Sequence, residues 1–183
     1  MREHKITQYL LEVIKTNSSA IDLYKKAGFK VTREFDYYIS TKNNLCLSTN
    51  KPLEDIEIKE IQYIDWEMAK TFWSFPPSWQ NSIESILRKR EYFRILGAFK
   101  KEVLIGYGII EKITGDIPQL AIIEEYRRKG LATMLIKNLS KLSNSEKIKI
   151  INIDAAYIPF KELAKNINLK PGFGQYEMIL DLH

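Results

Sequence analysis

Residues 127–133 read Arg-Arg-Lys-Gly-Leu-Ala-Thr, directly after an apolar run, Leu120–Ile123, and two acids, Glu124 and Glu125. From Arg127 to Leu142 the residues Leu131, Met134, Leu135, Leu139 and Leu142 fall on one helical stripe, so this is a strand-to-helix junction. The first N–H groups of a helix have no intrahelical acceptor and carry the positive end of its dipole. Gly130 and Ala132 keep side chains out of the way. A diphosphate could then approach the backbone, with Arg127, Arg128 and Lys129 adding Coulomb attraction. The plainer alternative is a solvated basic turn capped by a small residue, and spacing alone does not separate the two.

Chemistry elsewhere is limited by composition. The two histidines, His4 and His183, stand at the chain ends, which weighs against a Ser-His-Asp triad, a Cys-His dyad or a histidine zinc site. Acid-base work would fall to Tyr, Asp, Glu, Lys, Cys, water or the substrate. The single Cys46 cannot form an internal disulfide, so a reducing cytoplasm is the expected location. No apolar run approaches a membrane span, and the opening residues lack the layout of a cleavable leader. A net charge of +5 permits an anionic ligand, but the cations are interleaved with 23 acids and do not demand nucleic acid. "LRKREYFR" fits a solvated helix face.

The elements that position these residues follow from periodicity and punctuation. "ITQYLLEVIK" predicts a strand, and "TNSSAIDLYKKAGF" a helix with capping-box spacing at Ser19 and Asp22 and a stop at Gly28. "REFDYYIS" and "LCLSTN" predict a hairpin about Thr41–Asn44, and residues 49–55 a linker. "DIEIKEI" then alternates as a strand, Asp65 caps a helix to about Ser74, and a helix spans roughly Gln80–Tyr92. "RILGAFKK" and "EVLIGYGIIEKI" predict a second hairpin, with "DIPQLAII" the next antiparallel strand. After the 127–142 helix come the strand "KIKIINIDA", the helix "IPFKELAKNI" and the strand "GQYEMILDL". The fold class is α/β: a mixed, mostly antiparallel sheet flanked by helices. Residues 7–39 and 147–182 also repeat weakly, with Asn168 in the helix-stop place of Gly28.

The motif Arg127-x-x-Gly130-x-Ala132, following "GYGIIEKITGDIPQLAIIEEY", resembles the pyrophosphate signature of the GNAT acetyltransferase superfamily between its fourth strand and third helix. The order of elements from 56 to 182 is similar too. "LLEVIKTNSSAIDLYKKAGF" separately resembles the family's fifth strand and fourth helix. The resemblance implies residues 1–50 as the C-terminal fragment of an upstream GNAT module and 51–183 as a GNAT acetyltransferase domain, the C-terminal part of a tandem protein. The fragment would bury little alone, so it should dock on the main domain or on a second chain, giving a homodimer.

By resemblance, Arg127, Arg128, Lys129, Gly130, Leu131, Ala132 and Thr133 would hold the diphosphate of acetyl-CoA. Ile122 and Ile123 would pair with its pantetheine amides as an added strand. The implied reaction is direct attack of a primary amine on the thioester, with no metal. The family's usual Asn and Tyr fall at Asn17 and Tyr24 in the fragment, and the aligned positions of the full module are Tyr157 and Ala164. Tyr157 or Tyr24 is therefore the candidate proton donor. Gln119, Glu111 and Asp116 are candidates for ordering a water near the amine, or are solvated and turn residues. Asp154 is expected to cap a helix. Phe72, Trp73, Phe75 and Trp79 around two prolines could line the acceptor site or fill the core. The alternative to an N-acetyltransferase is a non-catalytic CoA-binding module supporting an active partner half.

Overall fold

The computed structural model describes residues 6–48 and 53–182; His4, His183 and the first half of the expected linker lie outside the described residues. One antiparallel sheet runs in the order β3-β4-β5-β6, with β3 Ile56–Ile61, β4 Phe93–Lys100, β5 Val103–Glu111 and β6 Gln119–Ile122. The β4–β5 turn places Lys101 and Glu102 at φ 46 and 65, the two positive values that match a hairpin to the twist of its strands. β5 is buried on both faces, which explains its nearly continuous apolar run. Helix α4 (Leu131–Lys141) covers one face with Leu131, Leu135, Ile136 and Leu139. Short helices α2 (Trp66–Lys70) and α3 (Ile83–Arg88) cover the other, where Ala69, Phe72 and Ile86 meet Ile95, Tyr107 and Ile109.

The second sheet joins the two ends of the chain. Its order is β1-β9-β2-β7, with β1 Gln8–Ile14, β2 Lys30–Thr41, β7 Lys147–Asp154 and β9 Gln175–Asp181; the two-residue β8 (Lys170–Pro171) pairs beside β2. Helix α1 (Ser18–Lys26) links β1 to β2, and α5 (Ile158–Asn166) links β7 to β8 and β9. Each unit lends its last strand to the other, since β1 pairs with β9 and β7 with β2. β2 and β9 lie side by side at the centre.

The repeat is visible in the helix stops. Ala27 N–H donates to Leu23 O (3.0 Å) and Phe29 N–H to Tyr24 O (3.0 Å). The counterparts are Ile167 N–H to Leu163 O (3.0 Å) and Leu169 N–H to Ala164 O (2.8 Å). Gly28 and Asn168 occupy the left-handed stop position at φ 97 and 60.

Several expected boundaries move. Residues 30–41 form one 12-residue strand ending in a 3-10 turn at Lys42–Asn44, so the hairpin expected about Thr41–Asn44 does not form. The cap of α1 is Asn17, whose side chain accepts from Ala20 N–H, rather than the Ser19–Asp22 pair. The Gln80–Tyr92 helix is the shorter α3, capped by Ser82 and followed by a 3-10 turn. Asp65 caps α2 as expected, accepting from Glu67 and Met68 N–H, but the helix ends at Lys70.

Phe35 is wholly buried in β2, paired across to both β7 and β9. Phe35→Ala should cost about 3–5 kcal/mol, read as a lower urea midpoint at unchanged slope. A loss below about 1 kcal/mol would contradict a packed central strand at this position.

Candidate active site

β6 and β7 run parallel where they begin and then separate. Ile117 N–H donates to Lys149 O (2.8 Å), Lys149 N–H to Gly115 O (3.0 Å), and the Lys149 ammonium meets the Asp116 carboxylate at 2.7 Å. Beyond this clasp the two strands belong to different sheets. The gap between them is a cavity of about 580 Å³, walled by β6, β7, the starts of α4 and α5, and the segment after α2.

At one mouth lies the glycine turn. Helix α4 begins at Leu131, not Arg127: Arg127 is extended, Arg128 lies at φ 58 and Gly130, the cap residue, at φ 91. Gly130 brings no side-chain oxygen, and the first intrahelical bond runs from Met134 N–H to Gly130 O. The N–H groups of Leu131, Ala132 and Thr133 are therefore left without an intrahelical acceptor. Arg128, Gly130, Ala132 and Thr133 line the cavity, whereas Lys129 lies over the Tyr126 ring at 5.3 Å. Arg127 serves as a brace as well as a charge: its guanidinium donates to Ile122 O (2.9 Å) and Phe72 O (2.9 Å), tying the end of β6 to the α2 segment.

Along the cavity wall, β6 is an edge strand. Ile123 N–H donates to Ile105 O at 3.0 Å, so it is engaged by β5. Antiparallel alternation turns the backbone of Leu120 and Ile122 to the open side. With Ile122 O held by Arg127, the open backbone groups on this edge among the described residues are Ile122 N–H and the Leu120 peptide groups. Of the expected Ile122–Ile123 pair, Ile123 thus turns its N–H to β5 and Ile122 turns its own to the open side.

Toward the other sheet the wall is aromatic and amide-lined. Trp73 Nε1–H donates to Tyr107 OH (2.6 Å), Tyr107 OH to Gln119 Oε1 (2.8 Å), and Gln119 Nε2–H to Asn81 O (2.6 Å). Burial raises the Tyr107 phenol far above its ordinary range, so it stays a hydrogen-bond donor. On β7, Ile151 and Asn152 stand together opposite Tyr37 at a register shift, with Asn152 at φ 60. Asn81 holds the bulge by donating to Ile151 O at 3.0 Å. The Phe75 and Tyr157 rings meet at 5.4 Å across the cavity rim.

Residues 58–158, more than half the chain, match the acetyltransferase (GNAT) family. The chain belongs to the GNAT family. Solved structures show the same fold. A tandem GNAT protein from the clavulanic acid biosynthesis pathway superposes with a TM-score of 0.68 at 13% identity, over 98% of this chain and 66% of that one. A GCN5-related N-acetyltransferase from Kribbella flavida gives 0.66 at 10% identity, over 95% and 68%. A functionally unknown conserved protein from Staphylococcus epidermidis gives 0.66 at 12% identity, over 97% and 73%. At these identities the likeness concerns the fold, and the chain spans about two thirds of the first two lengths. No curated protein matches the sequence.

GNAT membership supports acyl transfer in general, and the candidate residues divide by place. Gln119 and Tyr157 line the cavity together with the glycine turn. Tyr24 is not among the lining residues; it packs against Phe29 with ring centroids 5.8 Å apart, in a small cluster with Val13, Ile21 and Met178. Glu111 bonds the Thr114 hydroxyl and Asp116 pairs with Lys149, so both serve the turn before β6. Asp154 braces the turn before α5, accepting from Ala156 N–H at 2.9 Å, while the α5 cap position itself is Tyr157. Among the described residues no group of three His, Cys, Asp or Glu is placed to hold a metal ion, and no helix is long and apolar enough to cross a membrane. Sequence reasoning missed Asn81, Tyr107 and Asn152. A polar Asn inside the apolar run "IINID" was the available signal.

Proposed function

We propose that the chain transfers an acetyl group from acetyl-CoA to a primary amine by direct attack, as a cytoplasmic enzyme. The observation that carries this reading is the set of open N–H groups of Leu131, Ala132 and Thr133 at the mouth of a cavity whose wall is an unpaired strand edge. That pairing of an anion-binding helix start with an edge strand suits a diphosphate followed by an amide-bearing arm. Bound there, acetyl-CoA supplies the activated acyl group. Leu131–Thr133 and Arg128 hold the anionic end, and Leu120 and Ile122 orient the arm. Gln119, fixed between Tyr107 and Asn81, presents a rigid amide to the amine and its water. Tyr157, on the opposite wall, donates a proton to the departing thiolate. Residues 1–50 fit the last strands and helix of an upstream module. In this chain their long strand is paired intramolecularly, so no second copy is required to cover it.

The test is release of free thiol from acetyl-CoA with a panel of primary amines, alongside titration of CoA. Thiol release that depends on amine is expected; tight CoA binding without release from any amine would instead make this a non-catalytic CoA-binding module. Tyr157→Phe should lower turnover by about 10- to 100-fold with CoA affinity unchanged. Wild-type turnover in that variant would remove Tyr157 as the donor.

A further inference from the structure

Glu12 lies in the apolar strand β1, yet its carboxylate points into the layer behind the cavity wall. Its Oε2 accepts from Asn152 Nδ2 at 2.6 Å, and the same amide nitrogen donates to Ser78 Oγ at 2.9 Å. Gln175 Nε2 donates to Asn152 Oδ1 at 3.1 Å, so the Asn152 side chain, which lines the cavity, is locked on three sides. The other oxygen of Glu12 is buried and has no partner among the described residues. Glu12 also stands directly opposite Glu177 across the β1–β9 ladder. Glu177 is neutralised by Arg33, which grips it through Nε (2.8 Å) and Nη2 (2.7 Å) and also donates to Pro76 O at 2.7 Å. Among the described residues Glu12 has no ion pair of its own. A like charge opposite and an orphaned oxygen both cost stability, and a neutral glutamine would avoid the charge penalty. A partly buried charge held at a cost is a functional candidate.

Beside Asn152 the cavity is lined by Trp73, Phe75, Pro77, Tyr157 and the Gln119 amide, while its carboxylates are Glu124, after β6, and Glu162, on α5. One ammonium entering here would meet aromatic faces and the field of Glu12 through the Asn152 amide. A second ammonium would be desolvated among these aromatic side chains unless it reached Glu124 or Glu162.

We propose that Glu12 is a positioning residue for the acceptor, and that the acceptor is a monoamine with an apolar body. This rests on the acetyl-transfer reading of the same site. Glu12 acts through Asn152, orienting its amide and supplying the single negative charge behind the acceptor wall. The charged groups facing Glu12 are Glu177 on β9 and Arg33 on β2. Burial, first, and Glu177 raise the Glu12 carboxyl above its ordinary range. Since the folded state keeps its proton to higher pH than the unfolded chain, stability falls as pH rises above that range, while the charge that receives the amine appears.

Calorimetric titration of the full chain with 2-phenylethylamine, spermidine and, separately, CoA tests this. Wild type should bind 2-phenylethylamine more tightly than spermidine. Glu12→Gln should weaken 2-phenylethylamine by about 10-fold or more, leave CoA affinity unchanged, and melt no lower than wild type. It should also lose the rise in amine affinity with pH that the wild type shows across the Glu12 titration. Glu12→Asp, which keeps the charge but shortens its reach to Asn152, should fall between them and serves if the glutamine variant does not fold. Equal amine affinity in wild type and Glu12→Gln, tighter spermidine binding, or a parallel loss of melting temperature and CoA affinity would overturn the proposal. Failure of wild type to bind CoA would overturn the acetyl-transfer reading, while the amine titration would still decide the role of Glu12.

Discussion

Gly130→Glu should weaken CoA binding by at least about 100-fold, because losing a set of charge-assisted contacts costs on the order of 3 kcal/mol and each 1.4 kcal/mol is tenfold. The residue caps α4 at φ 91, with the N–H groups of Leu131, Ala132 and Thr133 just ahead of it. A glutamate there places a carboxylate where the diphosphate would sit, and that carboxylate can itself accept from the open donors. The helix would survive, since acids near a helix start are favourable. Any side chain at this φ also carries backbone strain of roughly 1–2 kcal/mol, so Gly130→Ala is the control that has the strain without the charge. The alanine variant should lose stability but retain most of its CoA affinity. A folded Gly130→Glu protein that binds CoA like wild type would sink the assignment of this turn.

The turn was legible in the sequence because its chemistry is local: small residues at 130 and 132, cations before them, and an apolar stripe after. Where α4 begins was less so. Arg127 looks like the first residue of a basic helix, but its guanidinium is drawn away to Ile122 O and Phe72 O, and this tertiary contact keeps its backbone extended. The same kind of override joined residues 30–41 into one strand. "TKNN" is good turn chemistry, yet β2 has β9 beside its first half, Lys30–Phe35, and β7 beside its second, and the β7 ladder carries it straight through to Thr41. The two helix stops were legible as a repeat, since Gly28 and Asn168 are the residue types that tolerate a left-handed φ. The strand exchange was not, because nothing local says which ladder a strand will join. Glu12 was hidden for that reason: a carboxylate in "LLEVI" becomes interpretable once β1 is known to lie against β9 and Glu12 behind Asn152.

Deleting the N-terminal unit should abolish the cooperative fold rather than trim it. A chain starting at Leu53 would retain every element of the matched family region, 58–158, and the cavity walls on β6 and α4. It would lose β2 from between β9 and β7, leaving two strands that pair with nothing else on those edges among the described residues. Phe35 and Tyr38 would vanish from the interior, and Ile148, Ile150 and Met178, each buried to within 1% of full exclusion, would face water. Tyr38 packs on Phe160 of α5 with ring centroids 5.3 Å apart, so the support of the helix that carries Tyr157 would go too. Replacing several buried side chains and two ladders exceeds the roughly 5–15 kcal/mol by which a domain is stable. Urea titration followed by near-ultraviolet circular dichroism should show no cooperative transition for the shortened chain. Phe35→Asp in the full chain, which places an unpaired charge between the same strands, should be severely destabilised for the same reason. If the shortened chain unfolds with a wild-type midpoint, the exchanged strands are an attachment to the acetyltransferase fold and not a part of its core.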